Sequence, residues 1–115
     1  MGNDRSLISE FEALVLMAVM HLDGDDEAYG VPIRQLVEER TGRFVSVGAL
    51  YTTLDRLANK GFVTSRLGEA TAERGGRAKK YFKVEGVGVR ALEDFDRAYS
   101  RMRDGLVLRP EGSLA

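Results

Sequence analysis

Six cationic side chains, Arg66, Arg74, Arg77, Lys79, Lys80 and Lys83, fall within 18 residues of this 115-residue sequence, interleaved with Tyr81 and Phe82. Their chemistry is electrostatic rather than catalytic. Guanidinium and ammonium groups at this density neutralise phosphates, and the Arg74-Gly-Gly-Arg77 tip can follow a phosphate backbone or reach into a minor groove. The alternative is a solvated edge strand, since lysine also guards strand edges against pairing. Two guanidinium groups at a glycine tip favour nucleic acid. The net charge of −1 hides this footprint. Residues 1–61 carry 6 Lys/Arg against 10 Asp/Glu, residues 62–83 carry 6 against 2, and residues 84–115 carry 5 against 6. A short basic segment thus sits inside an otherwise acidic chain.

A second set of polar side chains lies on residues 46–60. Val47, Leu50, Leu54 and Leu57 read as the buried stripe of a helix, leaving Gly48, Ala49, Thr52, Thr53, Arg56, Asn59 and Lys60 off the core. Ser46 can cap the helix. Small residues at its start permit close approach to another surface. Ser and Thr hydroxyls bond phosphates or bases, and a Thr methyl can touch a thymine methyl. Arg56 and Lys60 come later, within reach only of phosphates or distal bases. Taken alone, this face reads equally well as a solvated helix surface.

Nothing in the sequence assembles catalytic chemistry. His21 is the single histidine and lies in an apolar helix, with no Ser-His-acid set around it. Gly75-Gly76-Arg77 lacks the Lys-Ser/Thr end of a phosphate-binding loop. Asp23, Asp25, Asp26 and Glu27 have the look of a calcium loop, but Ala28 replaces the glycine and Arg34 the final glutamate that such a loop needs. With no cysteine, disulfides and thiolate metal sites are excluded. The reading is of a non-enzyme with no cofactor and no metal, and the composition fits a reducing cytoplasm. The apolar run Ala13–Met20 is far too short to span a bilayer, and the first ten residues carry no export signal.

The elements that must position these groups follow from periodicity and caps. A first helix is expected over Ser9–Leu22, with Ser9 and Glu12 as a capping box. Phe11, Leu14, Val15, Ala18, Val19 and Leu22 form one apolar face, and Leu16, Met17 and Met20 the other. A helix apolar on both sides is buried twice, and in so small a domain the second side suggests a subunit interface. After the polar turn Asp23–Glu27, a second helix spans Val31–Arg40, with Ile33, Leu36 and Val37 inward and Gly42 as its cap. A third spans Ser46–Lys60 and is closed by Gly61. Residues 62–67 and 79–84 read as a two-stranded hairpin. A last helix spans Val87–Gly105, and the spacing of Val89, Leu92, Phe95, Tyr99, Met102 and Leu106 resembles a heptad seam that wants a partner helix.

The fold class is therefore α+β, mainly helical: a winged helix-turn-helix over residues 1–84, an additional dimerisation helix over 85–109 and a frayed tail over 110–115. In such motifs the second helix enters the major groove. The run AYGVPIRQLVEERTGRFVSVGALYTTLDRLANKGFV, followed by ERGGRAKKYFKV, resembles the PadR family of bacterial transcriptional regulators. The resemblance covers roughly residues 9–92. It rests on Leu14, Leu16, Tyr29-Gly30, the pattern of Ser46, Gly48, Tyr51 and Leu54, the helix end Lys60-Gly61, the wing residues Gly76, Arg77, Tyr81 and Phe82, and then Gly88 and Leu92. It implies a dimeric repressor of a nearby promoter whose last helix crosses to the other subunit, with Tyr51 and the wing cations on the DNA backbone. Glu85 departs from the family's Thr at that position. Glu is the poorer N-cap.

The resulting expectation is a homodimer on double-stranded DNA. Ser46, Gly48, Ala49, Tyr51, Thr52, Thr53, Arg56, Arg74, Arg77 and Lys79 are the DNA-contacting residues. Phe11, Val15, Leu92, Phe95, Tyr99 and Met102 form the dimer interface, and a small apolar effector is a candidate ligand near Phe11, Val15, Phe95 and Tyr99. The competing reading is a winged helix that binds only protein.

Overall fold

The computed structural model describes residues 7–68 and 78–110. Its elements run α1 (Glu10–Leu22), α2 (Gly30–Thr41), α3 (Val47–Asn59), β1 (Val63–Leu67), β2 (Lys80–Val84) and α4 (Gly86–Arg103). The fold is α+β and mainly helical, with the expected element order. The Arg74-Gly-Gly-Arg77 tip and the tail from residue 111 lie outside the described residues.

Local chemistry sets the helix ends. The Ser9 hydroxyl accepts from the Glu12 amide at 3.1 Å, and the Glu12 carboxylate accepts from the Ser9 amide at 2.7 Å. This reciprocal capping box satisfies two amides that the helix leaves without partners. Ser46 caps α3 by accepting from the Ala49 amide at 3.0 Å, a contribution of about 1 kcal/mol. Helices α2 and α3 both end against glycines with left-handed backbone, Gly42 at φ 74° and Gly61 at φ 79°, where a Cβ would be strained. Glu85 precedes α4 without a side-chain cap. Its carboxylate instead accepts from the Thr64 hydroxyl at 2.8 Å, so the departure from Thr ties α4 to β1.

The core gathers Val15, Leu16, Ala18 and Val19 of α1 with Ile33 and Val37 of α2, Leu50, Leu54 and Leu57 of α3, and Phe62, Val63, Phe82 and Ala91. Two sequence expectations fail here. Leu16 is wholly buried rather than part of a spare face of α1, because α1 is central and packs against neighbours on most of its circumference. Val47, expected in the buried stripe of α3, is 55% exposed. It sits in the first turn, ahead of the point where α3 meets the core.

Strands β1 and β2 pair antiparallel from Val63↔Val84 to Leu67↔Lys80. The sheet is not only the expected hairpin. Tyr29 bridges Tyr81, and the Phe82 amide donates to the Ala28 carbonyl at 2.8 Å. The segment before α2 therefore anchors the wing to the helical body. Among the described residues no helix is long and apolar enough to cross a membrane.

Candidate nucleic-acid interface

The turn from α2 into α3 is built on backbone at Val45. The Glu38 carboxylate accepts from the Val45 amide at 2.8 Å, and Arg34 donates to the Val45 carbonyl at 3.1 Å. Val45 itself is buried. The two charged side chains of α2 thereby fix where α3 begins. Ser46, at its head, spends one lone pair on the cap and keeps its own proton for an outside acceptor.

The core side of α3 carries Leu50, Thr53, Leu54 and Leu57, all buried. Thr53 is 3% exposed, which corrects its assignment as a DNA contact. It falls at helical spacing between Leu50 and Leu57, inside the apolar stripe. Ser46, Gly48, Ala49, Thr52 and Arg56 are exposed, and nothing stands within 4 Å of the space a Gly48 Cβ would occupy. The head of α3 is an open, unobstructed surface.

Tyr51 is 41% exposed and leans onto α2. A Cβ at Gly30 would overlap its hydroxyl. Gly30 thus makes the seat on which the Tyr51 ring rests, a role the Tyr29-Gly30 dipeptide did not disclose in sequence.

Arg56 and Lys60 turn away from the open face. The Lys60 ammonium lies 3.1 Å and the Arg56 guanidinium 3.6 Å from the Glu12 carboxylate. Glu12 is 3% exposed. Burial pushes its pKa up, but the Ser9 amide, the Lys60 hydrogen bond and the charges of Lys60 and Arg56 outweigh this and hold the carboxyl below its ordinary value. The tail of α3 is in this way clamped to the head of α1. Beside it, Arg43 of the α2–α3 turn pairs with Glu10 at 2.7 Å. The sequence disclosed the capping role of Glu12 and missed this clamp, which joins residues far apart in the chain.

At the base of the wing, cations alternate with aromatic rings. The Lys79 ammonium stands 4.4 Å from the Tyr29 ring centroid and donates to its hydroxyl at 3.3 Å. The Tyr29 and Tyr81 rings meet edge to face at 5.5 Å. The Arg66 guanidinium lies 4.6 Å from the Tyr81 centroid and pairs with Asp26 at 3.7 Å. The rings hold the two cations in place by cation–π attraction. Lys79, Lys80 and Lys83 remain exposed on the wing.

The residues expected at a subunit interface divide. Val15 is 0% exposed, so it belongs to the protomer's own core and is corrected on that ground. Phe11 and Leu92 are half-buried against the core. The Phe95 and Tyr99 rings stack at 5.1 Å, and Met102 is 79% exposed. An open groove of about 430 Å³ runs between α1 and α4, floored by Leu14, Met17, Leu92, Phe95 and Tyr99 and edged by Glu10, Glu93 and Asp96.

Against this geometry, the profile of the transcriptional regulator PadR-like family matches residues 19–94. The chain belongs to that family. As a PadR-like protein it is a DNA-binding transcription regulator and not an enzyme. No curated protein matches the chain in sequence. A PadR family transcription regulator from Clostridium difficile R20291 is 22% identical, with a TM-score of 0.67 over 83% of this chain and 92% of that one. A PadR-like transcriptional regulator from Bacillus cereus is 23% identical, with a TM-score of 0.61 over 80% and 82%. At these identities the likeness is one of fold. The hsRosR–S1 complex is 25% identical, with a TM-score of 0.61 over 89% of this chain and 82% of that one.

Proposed function

We propose that this PadR-like chain acts as a homodimeric repressor that binds a pseudo-palindromic operator. Residues 1–84 form the reading head and residues 85–109 the dimerisation helix. The observation that carries the reading is the open head of α3, where Ser46, Gly48, Ala49, Tyr51 and Thr52 are exposed beside a cationic wing. Small residues there let the helix approach the floor of a major groove.

Two heads related by a two-fold axis place their α3 helices about 34 Å apart, one turn of DNA, on one side of the duplex. Tyr51, seated on Gly30, bonds a phosphate. Arg74, Arg77 and Lys79 of each wing hold the flanking backbone. The stacked Phe95 and Tyr99, with Leu92, Met102 and Phe11, pack against the second subunit, and the groove edged by α1 and α4 admits a small apolar effector. An effector there changes the spacing of the heads, and a misfit of a few ångströms costs contacts on both half-sites together.

Sequencing the DNA that the purified protein retains from a genomic or random pool tests this reading. Two inverted half-sites about one helical turn apart are expected, and retention of no particular sequence would overturn it.

A further inference from the structure

The side of α3 directly opposite its core stripe carries Gly48, Thr52, Asp55 and Asn59. These stand at intervals of 4, 3 and 4 residues, so they share one face. The buried residues Leu50, Thr53, Leu54 and Leu57 occupy the other. A helix lying in a major groove points the face opposite its core at the groove floor and its flanks at the phosphate rims. Tyr51 on one flank and Ala49 and Arg56 on the other belong to the rims.

That outward face contains no cation. Arg56 is the one basic residue of α3, and both it and Lys60 are paired with Glu12. That face of α3 therefore presents no guanidinium to guanine O6 and N7. Asp55 is exposed and has no ion-pair partner among the described residues. An ionised carboxylate only accepts hydrogen bonds. At a phosphate rim it would be repelled. At the groove floor its matching partner is the cytosine N4 amino group. Gly48 and Asp55 are separated by about 10 Å along the axis at 1.5 Å per residue, roughly three base steps.

We infer that Asp55 is a specificity-determining residue that selects a cytosine in each half-site through its exocyclic amine. The inference rests on the DNA-reading assignment of α3 and adds the base class it reads. It also gives the wing its task. A reading face with a carboxylate and no cation gains little from phosphates, so the larger share of the affinity falls to Lys79, Lys80, Lys83 and the wing tip.

The test is binding-site selection from a random duplex library with the full-length wild type, Asp55→Asn and Asp55→Ala. Circular dichroism should show the same fold for all three, since Asp55 is exposed. The wild-type consensus should contain a cytosine in each half-site. Asp55→Asn should replace it with adenine, which an amide recognises through N6 and N7. Asp55→Ala should lose about tenfold discrimination at that one position, with affinity for random DNA undiminished. A wild-type consensus retained unchanged in both variants, or one without that cytosine, would overturn the inference and leave α3 as the reading helix. A wild type that enriches no sequence would overturn the DNA-reading assignment, and this inference with it.

Discussion

The Tyr51 hydroxyl of α3 rests over the Cα of Gly30 of α2, in the space a Cβ would fill. The two helices of the motif touch here through a ring against bare backbone. Gly30→Ala should leave the fold intact, because the displaced group is the mobile end of a side chain and alanine favours the helix. Tyr51 must rotate, and operator affinity should fall about tenfold per half-site, the size of one hydrogen bond to a charged group. In a Tyr51→Ala background, Gly30→Ala should have no further effect. Additive losses in this double-mutant cycle would show that Gly30 acts elsewhere.

The Glu12 clamp makes an acid-side prediction. The folded-state pKa of Glu12 lies below its ordinary value. Its stabilisation is therefore complete above the unfolded-state pKa and is lost as pH falls through the lower folded value. Glu12→Gln should cost about 2 kcal/mol near neutrality, from weakened charge-assisted bonds. It should also flatten the decline in stability as pH falls below the ordinary carboxylate pKa. Denaturant melts of both proteins across that range decide it, and parallel acid limbs would contradict the clamp.

Thr52 and Thr53 are neighbours in sequence with opposite surroundings. Thr52 is exposed, and Thr53 is 3% exposed. Thr53→Val should leave operator affinity within about twofold. Thr52→Ala should weaken it by roughly fivefold to tenfold per half-site, the scale of one base or phosphate contact. Fluorescence anisotropy on one operator duplex compares them, and the reverse order would place the wrong face of α3 toward DNA.

Those two residues also show what the sequence discloses. Leu50, Leu54 and Leu57 mark the core face of α3 by type and spacing alone. Thr53 shares that face but is polar, and periodicity weighed by hydrophobicity leaves it out. Val47 is the converse, an apolar residue at the right spacing that lies too early in the helix to reach the core. Caps were legible because Ser9, Ser46, Gly42 and Gly61 act on residues within one turn of themselves. The Glu12 clamp, the Gly30 seat and the Ala28–Tyr29 addition to the sheet were not. Each joins segments separated by 20 residues or more, and only the folded chain brings them together.

The stacked pair Phe95–Tyr99 tests the assembly. Both rings lie on the part of α4 that contributes nothing buried to the protomer core. Phe95→Glu with Tyr99→Glu should give a folded monomer by analytical ultracentrifugation, with operator affinity reduced at least a hundredfold through loss of the second head. A dimer that survives both substitutions would move the interface elsewhere.

If α3 chooses sequence while the wing supplies affinity, the salt dependence of binding separates the two contributions. For the wild type, log affinity should fall linearly with log salt on operator and on random DNA. In the proposed dimer, replacing Arg74 and Arg77 with alanine should remove four phosphate contacts. It should lower that slope by about 3 to 4 on both duplexes alike while preserving the ratio of operator to random affinity. An unchanged slope, or a slope unchanged on random DNA and a lost preference for operator, would contradict this division of labour.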